Sequence, residues 1–298
     1  MSTGTAVSPA HAEEPIVRLR HPWRWVAVAV IAVLVAMLVH FLVTSEELEP
    51  ELIAGYLFEK SVMLGLWMTV KLTVISMLVG LLLGTLLAVM RLSENPVLRA
   101  VAGGYVWLFR GTPILVQLLF WYFLPSVLPQ VGIGIPFGPE FASWETKAVI
   151  TQFTAAILGL GLNEAAYMAE IVRAGIASVD KGQAEAAEAL GMSPTTTYRR
   201  VVLPQAARLI IPPTANETIS MLKLTSLVLV IGLADLLTTV QLVYGRNFKQ
   251  IPLLIVASIW YLVLTTILTL LQGRIERRMS RGVAGTTRRR TGLARGDR

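Results

Sequence analysis

The residues able to do chemistry are few, and most of them interrupt strongly apolar segments. Asn163 and Glu164 lie in one such segment, and Lys223, Thr225 and Ser226 lie in another. Charged groups at membrane depth are costly, and they face a partner or a water-filled cavity. Two readings are therefore open. These residues line a polar route, or they form a buried ion pair with hydroxyls that bond back to their own helix.

The chain lacks the groups on which most catalytic sites are built. It has no cysteine, which excludes disulfides, thiolate metal sites and cysteine nucleophiles. Its three histidines, His11, His21 and His40, lie in the first 40 residues and are too poorly placed for a metal site. No G-x-x-x-x-G-K-[ST] stretch is present to hold nucleotide phosphates. A membrane-embedded enzyme is therefore disfavoured, and we expect no cofactor on this chain.

The composition indicates lipid as the solvent. Of 298 residues, 54% are hydrophobic and 15% are charged, and the mean hydropathy is +0.64. A soluble globular chain has about 45–50% apolar and about 25% charged residues. An ordinary soluble enzyme and a disordered protein are both excluded.

Six segments are long and apolar enough to span a bilayer, which takes about 20 residues of helix. The first is read as a retained helix, because its apolar run is too long for a signal peptide and no cleavage site follows it. We expect an all-α polytopic membrane protein with six transmembrane helices, at Trp25–Val43, Val62–Met90, Pro113–Leu128, Ala148–Val172, Pro213–Leu237 and Pro252–Leu271.

The distribution of charge predicts the orientation. With the N-terminus inside, 20 of the 26 basic residues fall in inside segments. This strong positive-inside bias places both termini in the cytoplasm. The basic tail is best explained as a retention charge near anionic lipid, and no nucleic-acid partner is expected.

The segment between the fourth and fifth spans, about residues 174–212, is long for an unstructured loop. Asp180 has the spacing of an N-cap, and good helix formers follow it. Gly191 sits where a left-handed residue would end that helix. Ser193-Pro194 begins a second helix, which Pro204 is expected to interrupt.

The predicted product is a pair of short helices joined by a tight turn at the cytoplasmic face. The alanine-rich first helix would allow close approach of a soluble partner's backbone. An amphipathic connector lying on the membrane explains the same pattern equally well.

The residues of this loop resemble the EAA loop of the membrane subunits of ATP-binding-cassette importers. Val201 stands where isoleucine is usual, which is a mild departure. The matching positions, which the resemblance assigns to ATPase coupling, are Glu185, Ala186, Ala187, Gly191, Val201, Leu203 and Pro204.

Further motifs resemble the polar amino acid permease family in particular. They are the helix opening Arg110, Gly111, Thr112 and Pro113, the run 166–176, and the run 223–227. The resemblance covers about residues 65–271. The N-terminal helix and the basic tail lie outside it. Together with the predicted spans and the charge bias, it divides the chain into a cytoplasmic segment 1–24, an extra helix 25–43, a five-helix permease core 62–272 with the EAA loop at 180–204, and a basic tail 273–298.

The resemblance implies a type I importer permease in the cell membrane, with no catalysis of its own. A second permease, identical or different, would complete the pathway for a polar amino acid. Two ATPase subunits, which use ATP and Mg, would bind the EAA loops. An extracytoplasmic solute-binding protein would deliver substrate. The alternative is an ion-coupled secondary transporter. No internal repeat supports it, and it gives no reason for the cytoplasmic helix pair.

Spacing then predicts which polar residues meet. Asn163, Tyr167 and Glu170 share one helical stripe, and Glu170 is expected to pair with Arg173. If the fourth and fifth spans pack together, Glu164 would meet Lys223 at mid-depth. The substrate-pathway hypothesis is that Asn163, Glu164, Tyr167, Lys223, Thr225 and Ser226 line the route of a zwitterion, and the structural alternative is a helix-locking ion pair with back-bonded hydroxyls.

Overall fold

The computed structural model describes residues 23–45, 48–135 and 138–280. The chain separates into two compact units, residues 1–48 and 49–298. The elements, in chain order, are α1 (Trp23–Thr44), α2 (Pro50–Leu57), α3 (Lys60–Leu92), α4 (Pro96–Gly111), α5 (Ile114–Val127), β1 (Gln130–Gly134), β2 (Glu140–Glu145), α6 (Thr146–Val149), α7 (Gln152–Ala177), α8 (Lys181–Ala189), α9 (Pro194–Thr197), a π-helical turn (Tyr198–Val202), α10 (Leu203–Leu224), a 3-10 helix (Thr225–Ile231), α11 (Leu236–Asn247) and α12 (Gln250–Ser280).

The first unit is the single helix α1. Its 22 residues correspond to about 33 Å of helix, which matches the hydrocarbon thickness of a bilayer. The hydrophobic side chains that the structure describes on it are exposed within the unit. The first predicted span is therefore confirmed as a helix that is long and apolar enough to cross a membrane.

Within the described residues, five helical segments are long and apolar enough to cross a membrane, and a sixth results if α4 and α5 count together. These two helices are bent by 103° at their junction. The third predicted span, Pro113–Leu128, is thus not a straight crossing. The 14 residues of α5 reach only about 21 Å, which is too short for the hydrocarbon layer.

Close packing of α3 on α7 forms the centre of the second unit. A Cβ built at Gly80 would lie 2.5 Å from Cγ of Glu164, and one at Gly84 would lie 2.5 Å from Cβ of Met168. Neither glycine can therefore gain a side chain while the helices stay this close. On the other side of α7, Gly159 touches Leu118 of α5 in the same way. Small residues at these positions let helices approach closely in lipid.

Buried polar contacts hold α11 against α3 and α12. Asp235 is fully buried and caps α11, because its carboxylate accepts from the backbone nitrogen and the hydroxyl of Thr238 at 2.8 and 2.6 Å. The hydroxyl of Tyr261 on α12 donates to the same carboxylate at 3.3 Å. Thr69 on α3 accepts from the nitrogen of Leu236 at 3.1 Å. The start of α11 is therefore fixed by contacts with two other helices, α3 and α12.

The segment between α5 and α7 contains a hairpin. Strands β1 and β2 are antiparallel, and Val131 pairs with Trp144 and Ile133 with Ala142. These four side chains share one face of the ribbon, because alternate residues point the same way. The all-α expectation thus holds for the helical body, and this hairpin is the one addition among the described residues.

The predicted interruption at Pro204 is not found. The helical segment continues from Pro194 to Ile231, through Pro204 and through Pro212 and Pro213. Pro204 lies in the first turn of α10, directly after a π-helical turn in which the nitrogen of Leu203 bonds to the carbonyl of Tyr198. A π-helical turn disrupts the regular ladder at the point where proline would otherwise clash.

The fifth predicted span therefore has wrong boundaries. It was expected to begin at Pro213 and to end at Leu237. The helix instead begins well before the two prolines, and Leu237 already belongs to α11. Proline inside a helix is tolerated where neighbouring helices and side chains bond the freed backbone groups.

We predict that Gly84→Ala destabilises the protein while Gly104→Ala does not. A methyl group at Gly84 meets Met168, whereas nothing lies within 4 Å of a Cβ built at Gly104. Overpacking of this kind costs about 1–3 kcal/mol. Thermal unfolding of the detergent-purified variants measures the difference. Equal stability of the two variants would contradict the close α3–α7 contact.

Candidate functional site

The junction of α4 and α5 is held together by side-chain amides. The Gln117 side-chain nitrogen donates to the carbonyls of Phe109 and Thr112 at 3.0 and 3.1 Å. Asn163 on α7 donates to the same Phe109 carbonyl at 2.8 Å, and its nitrogen lies 3.3 Å from the Gln117 amide oxygen. Carbonyl groups at a helix end lack intrahelical partners and must be bonded elsewhere. These amides therefore allow the chain to bend sharply inside the molecule.

A cavity of about 520 Å³ opens beside this bend. It lies where the junction of α4 and α5 meets α7 and α10. All four residues of the predicted helix opening line it, together with three of the predicted pathway residues. The lining residues are Arg110, Gly111, Thr112, Pro113, Ile114, Asn163, Glu164, Tyr167, Glu217 and Leu224.

Glu164 is the most constrained polar group of this cavity. Its side chain is 2% exposed, and its Oε1 has no hydrogen-bond partner among the described residues. The stem of the side chain rests against Gly80 of α3. A buried carboxylate oxygen without a donor is energetically costly. The cavity is therefore a place where a donor from outside the chain would be stabilising.

Glu217 is a cavity residue that the sequence analysis missed. It lies on α10 and is half-buried, and it shares its helix face with Leu224, seven residues further on. A charged residue in an apolar span is itself a signal for a functional position. That rule, applied to the segment after Pro213, would have found it.

Glu170 lies below the cavity at the centre of a cluster of arginines. Arg173 donates to its Oε2 at 3.0 and 2.9 Å from Nε and Nη2, which confirms the predicted pairing. Arg91 at the end of α3 bonds to its other oxygen. Arg110 of α4 approaches that oxygen to 3.9 Å and also lies over the ring of Tyr167, 5.2 Å from its centroid.

One carboxylate thus links three helices, α3, α4 and α7, and it places the Arg110 guanidinium at the edge of the cavity.

The expected meeting of Glu164 with Lys223 does not occur in the described structure. Lys223 is exposed and does not line the cavity, and no ion pair joins it to Glu164. It follows Glu217 by six residues, so it points to a different side of α10. Thr225 and Ser226 bond back to the carbonyls of Leu222 and Lys223 at 2.8 and 2.7 Å. These two hydroxyls therefore follow the structural alternative, in which they bond back to their own helix.

The predicted helix pair and its turn are present at the other end of α10. Asp180 caps α8 by accepting from the nitrogen of Gly182, and Ser193 caps α9 by accepting from the nitrogen of Thr196. Gly191 has φ +79°, in the left-handed region. The nitrogens of Gly191 and Met192 bond to the carbonyls of Glu188 and Ala187 at 2.9 and 3.1 Å, as in a Schellman motif.

Some residues of the predicted coupling set are buried or half-buried, and the others are exposed. Ala187 is buried beneath the turn, and Val201 is half-buried in the π-helical turn. The remaining members of the predicted set are exposed: Glu185, Ala186, Gly191, Leu203 and Pro204. Leu190, at the tip, is 84% exposed, which is unusual for a large apolar side chain. The loop therefore presents a rigid surface with an apolar tip.

Among the described residues, no group of three or more histidine, cysteine or acidic side chains is arranged to hold a metal ion.

Comparison with known proteins identifies the family of this chain. Residues 80–281 match the family model described as the binding-protein-dependent transport system inner membrane component. The chain belongs to this family. It is a multi-pass membrane protein and a permease subunit of an ATP-binding-cassette importer, and such subunits are not catalytic.

Two curated relatives match over most of their length. One is the arginine transport system permease protein ArgU of Corynebacterium glutamicum, 46% identical over 276 residues, which are 90% of this chain and 84% of the relative. The other is the arginine transport system permease protein ArtQ of Bacillus subtilis, 38% identical over 72% of this chain and 90% of that one.

Solved structures agree with the family assignment. A structure of an amino acid ABC transporter with histidines has a TM-score of 0.63 and is 37% identical, over 73% of this chain and 94% of that chain. The MetNI methionine ABC transporter in an inward-facing conformation, at 20% identity and a TM-score of 0.57, supports the fold only. The type I importer permease fold is confirmed, and the alternatives of a secondary transporter and a membrane enzyme are not supported.

We predict that Glu170→Gln lowers stability. The substitution removes the charge that Arg91 and Arg173 share, and hydrogen bonds to charged groups contribute roughly 1.5–3 kcal/mol each. Thermal unfolding of the purified protein should show the loss. A variant as stable as the original protein would contradict the role of Glu170 as the link between α3, α4 and α7.

Proposed function

We propose that this permease carries a polar amino acid with a cationic side chain and binds it in the cavity beside the α4–α5 bend. One observation carries the proposal: the buried Oε1 of Glu164 has no partner in a cavity that also contains the Glu217 carboxylate and the Arg110 guanidinium. The arginine transport names of the relatives ArgU and ArtQ support the same substrate class.

The charges of the cavity complement such a substrate. An amino acid like arginine carries two positive groups and one carboxylate. The cavity offers two carboxylates, Glu164 and Glu217, and one guanidinium, Arg110. A substrate with two positive groups would separate the two carboxylates and give Glu164 the donor that it lacks. Tyr167 provides an aromatic face beside these charges, which favours a cation.

The assembly follows from the family and from the surface of the loop. We propose that a second permease, identical or different, faces this cavity, and that two ATPase subunits each dock on one loop of residues 180–204. A solute-binding protein would deliver substrate from the opposite side. ATP and Mg would be used by the ATPase subunits, and none of these cofactors would bind this chain.

The orientation proposal rests on the charge bias of the sequence. Both termini lie in the cytoplasm, with segment 1–24 before the extra helix 25–43 and the basic tail 273–298 after the core 62–272. The helix pair α8 and α9 then lies on the same side as the ATPases.

We predict that Glu164→Gln and Glu217→Gln each raise the half-saturating concentration for arginine uptake at least tenfold. Each change removes one carboxylate that a cationic substrate would use, and a lost charged contact is worth more than about 1.4 kcal/mol. Uptake of a neutral amino acid such as glutamine should change less. Transport assays in vesicles with each competitor measure both effects.

The control for charge is Glu140→Gln, because Glu140 is an exposed residue of the hairpin and does not line the cavity. It should leave uptake unchanged. If all three variants transport arginine with the affinity of the original protein, the cavity is not the cationic site.

The turn of the coupling loop gives a separate prediction. Gly191→Val should abolish ATPase-driven uptake, because a β-branched residue at φ +79° is strained. Gly191→Asn should keep uptake, because asparagine tolerates the left-handed region. Co-purification of the ATPase subunit with each variant reports docking directly. Equal recovery of the ATPase with the valine and asparagine variants would contradict the coupling role.

A further inference from the structure

A second cavity lies far along the helices from the loop of residues 180–204. It has a volume of about 710 Å³ and is formed by α2, the start of α3 and the end of α11. Under the proposed orientation it opens at the outer end of the bundle. Its walls combine apolar side chains, such as Leu52 and Leu242, with two residues of opposite charge, Glu59 and Arg246.

Glu59 contributes a fixed negative charge. It is the N-cap of α3, and its Oε2 accepts from the backbone nitrogens of Ser61 and Val62 at 2.8 and 3.4 Å. The hydrogen bond from the Ser61 hydroxyl lowers the pKa of Glu59, so the carboxylate is ionised at neutral pH. Its Oε1 accepts no hydrogen bond within the described ranges. One carboxylate oxygen is thus held in place and left available.

Arg246 contributes a positive charge that is not neutralised. Within the part of the chain that the structure describes, its guanidinium has no ion pair and no hydrogen bond. Lys249, three residues after Arg246, pairs with Glu49. Asn247, beside Arg246, accepts from the nitrogen of Lys249 through its oxygen, which leaves its amide nitrogen as a further donor.

Two opposite charges in one cavity that do not pair with each other point to a ligand between them. We propose that this outer cavity binds a zwitterion, with its ammonium group on Glu59 and its anionic group on Arg246 and Asn247. This site is separate from the cavity that contains Glu164 and Glu217.

Two sources supply this chemistry at the outer end of a membrane protein. One is the headgroup of phosphatidylethanolamine, which carries an ammonium and a phosphate. The other is a free amino acid. The anionic headgroup of phosphatidylglycerol lacks the ammonium, so its binding tests whether the site recognises both charges of the ligand.

Gly55 makes a direct test possible. It lies in the wall of the cavity, and a Cβ built on it meets nothing within 4 Å. Gly55→Trp therefore fills the cavity without a clash at its Cβ, and Gly55→Ala is the matched control. Arg246→Gln removes the anion contact, and Lys147→Gln removes one positive charge from an exposed position outside the cavity.

The assembled transporter is purified into nanodiscs that contain equal amounts of both lipids, and native mass spectrometry counts the lipids that it retains. In a second arm, equilibrium dialysis measures the binding of radiolabelled arginine in a Glu217→Gln background, which weakens the inner cavity. We expect Gly55→Trp and Arg246→Gln to reduce zwitterion binding at least tenfold in one arm, and Gly55→Ala and Lys147→Gln to leave it unchanged.

A loss of phosphatidylethanolamine identifies the headgroup as the ligand, and a loss of arginine identifies the free amino acid. Unchanged binding in both arms would overturn the proposal. Equal retention of phosphatidylglycerol, together with a Glu59→Gln variant that behaves as the original protein, would overturn it too, because the site would then bind only anions. Neither result bears on uptake through the inner cavity.

Discussion

The need to bond every backbone group away from water governs the centre of this permease. A helix that ends inside a protein leaves carbonyls without intrahelical partners, and these must find other donors. Here the amides of Gln117 and Asn163 bond the carbonyls at the end of α4. The chain can then turn by 103° into α5. The cavity beside this turn exists because the backbone is no longer packed as one straight helix.

Close contact between α3 and α7 gives the cavity its chemical character. Gly80 leaves only the space that the stem of Glu164 fills, so the carboxylate is kept in a buried position. Glu170 lies about two turns further along α7 and contacts arginines of α3 and α4. It sets the position of Arg110 at the edge of the cavity. The polar groups of the site are thus placed by contacts among helices that are otherwise apolar.

Short-range sequence patterns predicted the elements that neighbouring residues determine. The spans follow from runs of apolar residues, the caps at Asp180 and Ser193 from their side chains, and the left-handed turn from Gly191. The errors concern long-range geometry. Pro204 was expected to break a helix that the π-helical turn lets continue, and Lys223 was placed opposite Glu164 without knowledge of the rotation of α10. Such rotations depend on packing between distant segments, which no spacing within one segment reveals.

The helical segment from Pro194 to Ile231, which includes a π-helical turn and ends in a 3-10 helix, has a mechanical consequence. Val201 lies in the loop and Glu217 lies in the cavity wall, sixteen residues apart, which is about 24 Å along a helix. A rigid lever of that length that tilts by about 5° moves its far end by about 2 Å, from the 1.5 Å rise per residue. A carboxylate displaced by that distance moves out of hydrogen-bond reach of a ligand group that it had contacted. A small movement of the loop is therefore enough to change what the cavity can hold.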